Sequence, residues 1–327
     1  MDGAQQLTVR SPLLPFKVKV PSDGPTFLLK HEFIQPGGSF KSRGISHLIK
    51  TKLESIENPE GKLAVYSSSG GNAGLAAARA CNSLNVPCVV VVPKTTKPRM
   101  INKIESAGAK VVIHGNHWKE ADEHLREHIM KNSTYAETVY VHPFDDPVIW
   151  EGHSVIVDEI LEQLNEYGAD IKNVKGIVCS VGGGGLYSGI ISGLERHGLA
   201  TSIPVFAVET RGCDVLNKSL TAGKPVVLDK ITSIATSLGS TEVCSKCFEK
   251  VNEYASKSIV LEDHDVSATC LKFFDETSIL VEPACGASVH ACYHPELFGS
   301  FSADDIIVVI VCGGSCYTYE EIQSFIS

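Results

Sequence analysis

The chain has no apolar run approaching the roughly 20 residues that a membrane helix needs, and it has no basic cluster. Acidic residues outnumber basic ones, 38 to 29, for a formal charge of −9. Such a chain lacks the electrostatics that track nucleic acid or an anionic membrane, so neither is an expected partner. Aromatics are few, at 7 %, while 43 % of residues are apolar, the balance of a soluble globular chain rather than a fibrous or disordered one. No hydrophobic stretch follows the opening MDGAQQLTVRSP, so neither a secretory nor an organellar leader is expected. A cytoplasmic location follows as the expectation, with mitochondria as the alternative.

Cysteine is the one residue type present in surplus. Eleven cysteines, an odd number, are scattered through apolar segments such as VPCVVVV around Cys88 and GIVCSV around Cys179. That distribution argues for a reducing compartment rather than a disulfide framework. Cys244 and Cys247 form a C-x2-C pair without a second pair at zinc-ribbon spacing, and a closed zinc site needs four ligands. His124 and His128 stand in HLREH, not H-E-x-x-H, and read as a solvated helix face.

With 327 residues the chain is long enough for two domains with real cores. Short β-branched runs alternate with helical patterns. Strands are predicted over 26–33, 63–66, 86–92, 110–114, 138–142, 176–181, 204–208, 258–261 and 306–311. Helices are predicted over 74–83, 97–106, 117–131, 152–167, 185–197 and 266–280, with an amphipathic segment from Lys41 to Leu53. Strands apolar on both faces and separated by helices imply parallel sheets covered on both sides. The expected fold is α/β: two doubly wound domains with mostly parallel sheets and a cleft between them. A break at PFDDP puts residues 1–41 and 147–327 in a large domain and 42–146 in a small one.

Ligands of such sheets bind beyond the carboxyl ends of strands, and three glycine-rich turns stand there: SSSGGNAG (Ser67 to Gly74), GGGGL (Gly182 to Leu186) and CGGS (Cys312 to Ser315). Glycines let backbone approach a ligand, and free amides at a helix start favour an anion. The strongest phosphate cup is Gly182–Gly185. G-x-G-x-x-G fails there, and Gly37, Gly38 and Lys41 are too close together for a Walker loop. A phosphate without a nucleotide fingerprint points to pyridoxal phosphate, whose other requirement is a Schiff-base lysine. Lys41, in QPGGSFKSRG, is the candidate, because Phe40, Ser39 and Gly38 offer the partial desolvation that an amine nucleophile needs.

SFKSRG, SSGGNAG, SVGGGGL and VCGGS, in this order, with HPFDDPVIWEGH from His142 to His153, resemble the serine/threonine dehydratase family of fold-type II pyridoxal-phosphate enzymes. Within it the chain is most similar to the eukaryotic L-serine dehydratase branch, on the side of the fungal catabolic L-serine/L-threonine deaminases. The resemblance runs from about Pro12 to Ser315. It implies that Lys41 carries the cofactor and removes the substrate's α-proton, and that Phe40 packs on the pyridine ring. It further implies that Asn72 bonds the cofactor's 3-oxygen, and that Gly182, Gly183, Gly184, Gly185 and Leu186 give amides to its phosphate. By the same resemblance Cys312 faces the ring nitrogen, and Ser69, Gly70, Gly71 and Asn72 bind the substrate carboxylate. Glu209 falls where the family places a carboxylate near a monovalent cation such as potassium. The implied reaction is β-elimination on L-serine, and on L-threonine, giving ammonia with pyruvate or 2-oxobutyrate, in a homodimer.

Two other readings compete. A serine racemase shares scaffold and cofactor, but racemases of this fold carry serine where this chain has Gly70, which has no side chain to deliver a proton. A non-catalytic cofactor- or ligand-binding protein has no need of Lys41. Liver-type relatives often have alanine at the Gly70 position, so glycine is expected to leave more room beside the substrate. The chain ends twelve residues after Ser315, so control by isoleucine through an appended domain is not expected.

Overall fold

A computed structural model describes residues 6–16 and 24–326; the leader expectation partly concerns residues outside that range. Ten strands occur in chain order: β1 (Leu13–Phe16), β2 (Thr26–His31), β3 (Leu63–Ser67), β4 (Cys88–Val92), β5 (Lys110–Ile113), β6 (Glu137–Val141), β7 (Val174–Ser180), β8 (Val205–Thr210), β9 (Lys257–Leu261) and β10 (Ile306–Val311). The α-helices are α1 (Lys41–Glu54), α2 (Asn72–Leu84), α3 (Pro98–Ser106), α4 (Trp118–His124), α5 (Pro147–Glu166), α6 (Gly185–Arg196), α7 (Val215–Ala222), α8 (Ser245–Glu253), α9 (Asp263–Thr277), α10 (Pro283–Val289) and α11 (Tyr319–Gln323).

The chain separates into two compact units: Ile34–Gly152 with the residues up to Val9, and Arg10–Phe33 with His153–Ser327. The sequence breaks at 41/42 and 146/147 differ from these divisions, one of which falls inside α5. Side chains explain the placement of the segment before Lys41. Gln35 donates to and accepts from the backbone of Val9, at 2.8 and 3.0 Å, so Ile34–Phe40 stays with the first unit.

The first unit holds a four-stranded parallel sheet in the order β5-β4-β3-β6. All five residues of β3 are buried, as expected of a central strand covered on both faces. Helix α3 starts with Pro98 in its first turn, and α2 ends on Asn85 in the left-handed region at φ 54°. The single helix predicted over 117–131 is instead α4 followed by a π-helical turn, Leu125–Met130. In that turn Leu125, Ile129 and Met130 pack on the Ala64–Tyr66–Val91 cluster, which the wider i to i+5 bonding places on one face.

The second unit holds a six-stranded sheet, β1-β2-β10-β7-β8-β9, parallel throughout except for the edge pair β1–β2. The architecture is mixed α/β with mostly parallel sheets, as the alternating strand and helix patterns predict. Strand β1 was not among the predicted strands because Pro15 interrupts a four-residue run; proline is tolerated there because the strand is an edge. Helix α10 was also missed: all its residues are buried, so it has no amphipathic period to read. Lys30 of β2 is fully buried and pairs with Glu159 of α5 at 2.5 Å. Its ammonium also donates to Ser11 O, so the buried charge is both paired and hydrogen-bonded. None of the helices in the described residues is long and apolar enough to cross a membrane.

Candidate active site

Lys41 opens α1 directly after a turn in which Gly38, at φ 74°, donates to Gln35 O. Its Nζ donates to Pro143 O at 2.5 Å and lies 5.0 Å from the centroid of the Phe40 ring. The aliphatic stem and ring thus form the partly apolar setting anticipated for the amine. The Ser39 hydroxyl two residues earlier is buried, with no hydrogen-bond partner among the described residues.

The segment that accepts from Lys41 is braced by His142. Its Nδ1 accepts from Asp145 N at 2.8 Å and Phe144 N at 3.3 Å, which puts the proton of the neutral ring on Nε2. Burial, with the nearby Lys41 charge, lowers the His142 pKa to about 4. The unfolded chain protonates this ring near 6.5 and the folded chain does not, so stability falls as pH drops from about 6.5 toward 4, by about 3 kcal/mol at most. His142→Asn is therefore expected to flatten the loss of Tm between pH 7 and 5 in buffered thermal melts. An unaltered slope would show that His142 is not part of the acid sensitivity.

The turn after β3 carries the substrate candidates. Gly71 caps α2 and Asn72 is its first residue. Gly71 N donates to Ser69 Oγ at 3.3 Å. An added Cβ on Gly74 would sit 1.9 Å from Ser69 O, so the turn lies tightly on the helix start. The expectation of extra room at Gly70 is corrected here. A Cβ there would meet Thr96 Oγ1 at 2.5 Å and Cγ2 at 2.7 Å, so the Thr96 side chain already fills the volume that glycine vacates. Thr96 follows β4, which pairs in parallel with β3, and the two carboxyl-end turns are therefore neighbours.

In the second unit, β7 leads through Gly182–Gly184 into α6, whose first residue is Gly185. Gly184 has φ 95°, and a Cβ on it would lie 2.5 Å from Cys247 Cβ; one on Gly182 would lie 3.0 Å from the Leu238 backbone. Gly183 O is fixed by Cys244 N at 3.0 Å. The amides of Gly182 to Gly184 have no acceptor among the described residues, and the Ser180 hydroxyl just before them is buried without a partner. A turn of side-chain-free residues with unspent amides at a helix start suits a phosphate group. Leu186 is buried behind it.

Cys312 follows β10 and is buried. Its hydrogen bond with Cys285, and then burial, push its thiol pKa well up, so it stays protonated. Gly313 N donates to Cys285 Sγ at 3.4 Å. Gly314 admits no side chain, because a Cβ would lie 1.9 Å from the Glu282 carboxyl carbon. Glu209, at the end of β8, is buried. Its oxygens accept from Leu216 N and Asn217 N, both at 2.8 Å, which ties it to the start of α7. Burial raises its pKa to about 8 against those two bonds.

Lys41, Phe40 and Ser69 to Asn72 thus share the first unit, while Gly182 to Leu186, Glu209 and Cys312 share the second. Sequence reasoning passed over Thr96, Asp122, Tyr140 and Glu282. None lies in a glycine turn, and the only signal for Thr96 and Asp122 is the order of strands. Each unit by itself offers chemistry that pyridoxal phosphate requires: the first a primary amine beside an aromatic ring, the second a glycine cup and a neutral thiol.

A family model described as pyridoxal-phosphate dependent enzyme matches residues 5–313. An L-serine dehydratase of Saccharomyces cerevisiae (strain AWRI1631) is 62 % identical over 303 residues, covering 90 % of each chain. The human L-serine dehydratase/L-threonine deaminase is 39 % identical over 331 residues, covering 99 % of this chain and 96 % of that one. Among solved structures, a fungal L-serine ammonia-lyase from Rhizomucor miehei superposes with a TM-score of 0.86 at 31 % identity, covering 99 % of this chain and all of that one.

Proposed function

The chain belongs to the family of pyridoxal-phosphate-dependent enzymes, and on that premise we propose that it is an L-serine ammonia-lyase that also acts on L-threonine. The α-hydrogen and the β-hydroxyl leave the amino acid, and water then releases ammonia. Serine yields pyruvate and threonine yields 2-oxobutyrate. The observation that carries this reading is Lys41, an amine at the first turn of α1 beside an aromatic ring, lying inside the family match. The identity with relatives named for this activity supports it.

Bound pyridoxal phosphate supplies an electron sink that acidifies the α-proton of an amino acid joined to it. Lys41 would hold the cofactor through its amine, and the same amine would take up the α-proton. Phe40 would cover the pyridine ring, and Asn72 would donate to the 3-oxygen. Amides of Ser69 to Asn72, at the positive end of α2, orient the substrate carboxylate. Gly182 to Gly185 and Leu186 give amides to the phosphate. Cys312, whose raised thiol is too weak an acid to protonate the ring nitrogen, would leave that nitrogen neutral, which would suit hydroxide loss over prolonged storage of charge.

The proposal extends to a cytoplasmic homodimer and to a monovalent cation such as potassium near Glu209. The cation is supported by the buried Glu209 carboxyl, whose pKa burial raises to about 8 and whose ionised form a nearby cation would stabilise. Eleven buried cysteines without a disulfide support the reducing compartment.

A proton NMR time course with L-serine and the cofactor-loaded protein tests the assignment. Pyruvate with little D-serine is the expected result, and 2-oxobutyrate is expected from L-threonine. Accumulating D-serine would instead mark a racemase, and no turnover of either amino acid a binding protein. Replacing potassium by tetramethylammonium at constant ionic strength is expected to lower the rate several-fold; an unchanged rate removes the cation from the reading.

A further inference from the structure

The start of the substrate turn is anchored by a buried carboxylate that the reaction scheme does not use. Ser68, fully buried, donates its hydroxyl to Asp122 Oδ1 at 2.7 Å. The same oxygen accepts from Tyr140 OH at 2.5 Å, and Oδ2 accepts from Arg126 Nε at 2.9 Å. Asp122 is itself buried, at 4 % exposure. Three segments converge on one carboxylate oxygen: Ser68 directly follows β3, Tyr140 lies in β6, and α4 delivers Asp122. Parallel pairing of Tyr66 with Tyr140 sets the level of Tyr140 beside the turn.

The residues after Ser68 need such an anchor. Ser69 to Asn72 contain two adjacent glycines, which lose the most freedom when ordered and wander most when they are not. Ser69 O lies against Gly74 in the first turn of α2, where no Cβ would fit, and Gly70 is covered by Thr96. On the other side the sheet pairing of β3 ends at Ser67, and Ser68, the first residue beyond the strand, is held through its side chain. Amides that must meet a carboxylate within a few tenths of an ångström require an immobile backbone before the ligand arrives.

We propose that Asp122 is a positioning residue for the amino-acid substrate: by accepting the Ser68 hydroxyl it pre-forms the Ser69–Asn72 turn that takes the substrate carboxylate. The inference rests on the carboxylate role given to that turn. Arg126 balances the charge from the exposed side, and Tyr140 fixes the carboxylate's rotamer. Among the described residues Ser68 is the member of this group that adjoins the turn, so the effect passes through its hydroxyl.

That hydroxyl gives the test. In cofactor-loaded enzyme, Ser68→Ala and Asp122→Ala are each expected to raise KM for L-serine about tenfold, with kcat within about threefold. The double variant is expected to be no worse than either single one, because both remove the same bond. Asp122→Asn keeps Oδ1 as the acceptor and loses only the Arg126 partner, so it is expected to restore KM to within about threefold of the parent. Cofactor absorbance should be the same in all four, and Tm reports folding. Additive KM effects, or a lowered Tm with KM unmoved, would overturn the proposal and leave Asp122 a structural residue. If Asp122→Ala fails to fold, Ser68→Ala and Asp122→Asn still decide it. L-Serinamide with the parent enzyme serves as the separate check, because it lacks the carboxylate: KM no higher than for L-serine defeats the carboxylate assignment itself, whereas KM raised for the amide but unmoved in Ser68→Ala defeats only the role of Asp122.

Discussion

Replacement of Lys41 by alanine is expected to cut pyruvate formation from L-serine by at least about 10³-fold, the scale on which a positioned proton-transfer group contributes. Two roles fall on the same amine, covalent attachment and α-proton removal, so no second residue compensates. Arginine is expected to do no better: its guanidinium stays protonated at all working pH values and can neither attach nor accept a proton. The measurement is kcat with cofactor in excess, alongside the absorbance of bound cofactor. A Lys41→Ala protein that keeps a tenth of the parent rate would remove Lys41 from the mechanism. Retained cofactor binding with lost turnover is the expected pattern, because the phosphate amides of Gly182 to Leu186 are untouched.

Gly184→Ala should be the most damaging single-methyl addition to the phosphate cup. Two costs combine. The residue holds φ 95°, which disfavours any side chain by about 1–2 kcal/mol. The new Cβ would also lie 2.5 Å from Cys247 Cβ and 2.8 Å from its sulfur, in a buried setting with little room to yield. An apparent dissociation constant for pyridoxal phosphate raised at least about 30-fold is expected from titration of the apo-protein, with Tm lower by about 5–10 °C. Gly198→Ala is the matched control, because Gly198 shares a positive φ of 67° but has nothing within 4 Å of its added methyl. It should lose only the backbone contribution, about 1 kcal/mol, and keep cofactor uptake. Equal behaviour of the two variants would show that the packing at Gly184 does not shape the cup.

Much of the site was legible because its chemistry needs rare residue patterns. Four consecutive glycines after a strand, a lysine between an aromatic and a turn, and SSGGN before a helix are costly unless a ligand uses them. Their strand-to-helix placement followed from β-branched runs such as Ile306–Val311. What was illegible has no periodic signature. The edge strand β1 carries a proline, α10 is buried all round, and the π turn after α4 obeys packing on Ala64 and Tyr66 rather than helix period. Asp122 reads in sequence as an ordinary helical acid, because nothing along the chain relates it to Ser68, 54 positions earlier.

The case of Gly70 marks the division between the two kinds of information. By itself the sequence determined the α/β class and the cofactor chemistry and singled out Lys41 and Gly182–Gly185 as candidates for holding it, because these depend on local backbone freedom and on functional groups that few residues supply. It also determined that position 70 bears no side chain. Only the tertiary structure decided what occupies that space, where Thr96 from the turn after β4 fills it. The same holds for the thiol of Cys312, kept protonated by Cys285, and for the Glu209 carboxyl, raised by burial and tied to α7. Contacts of this kind depend on strand order and packing distance, and neither is written in residue spacing.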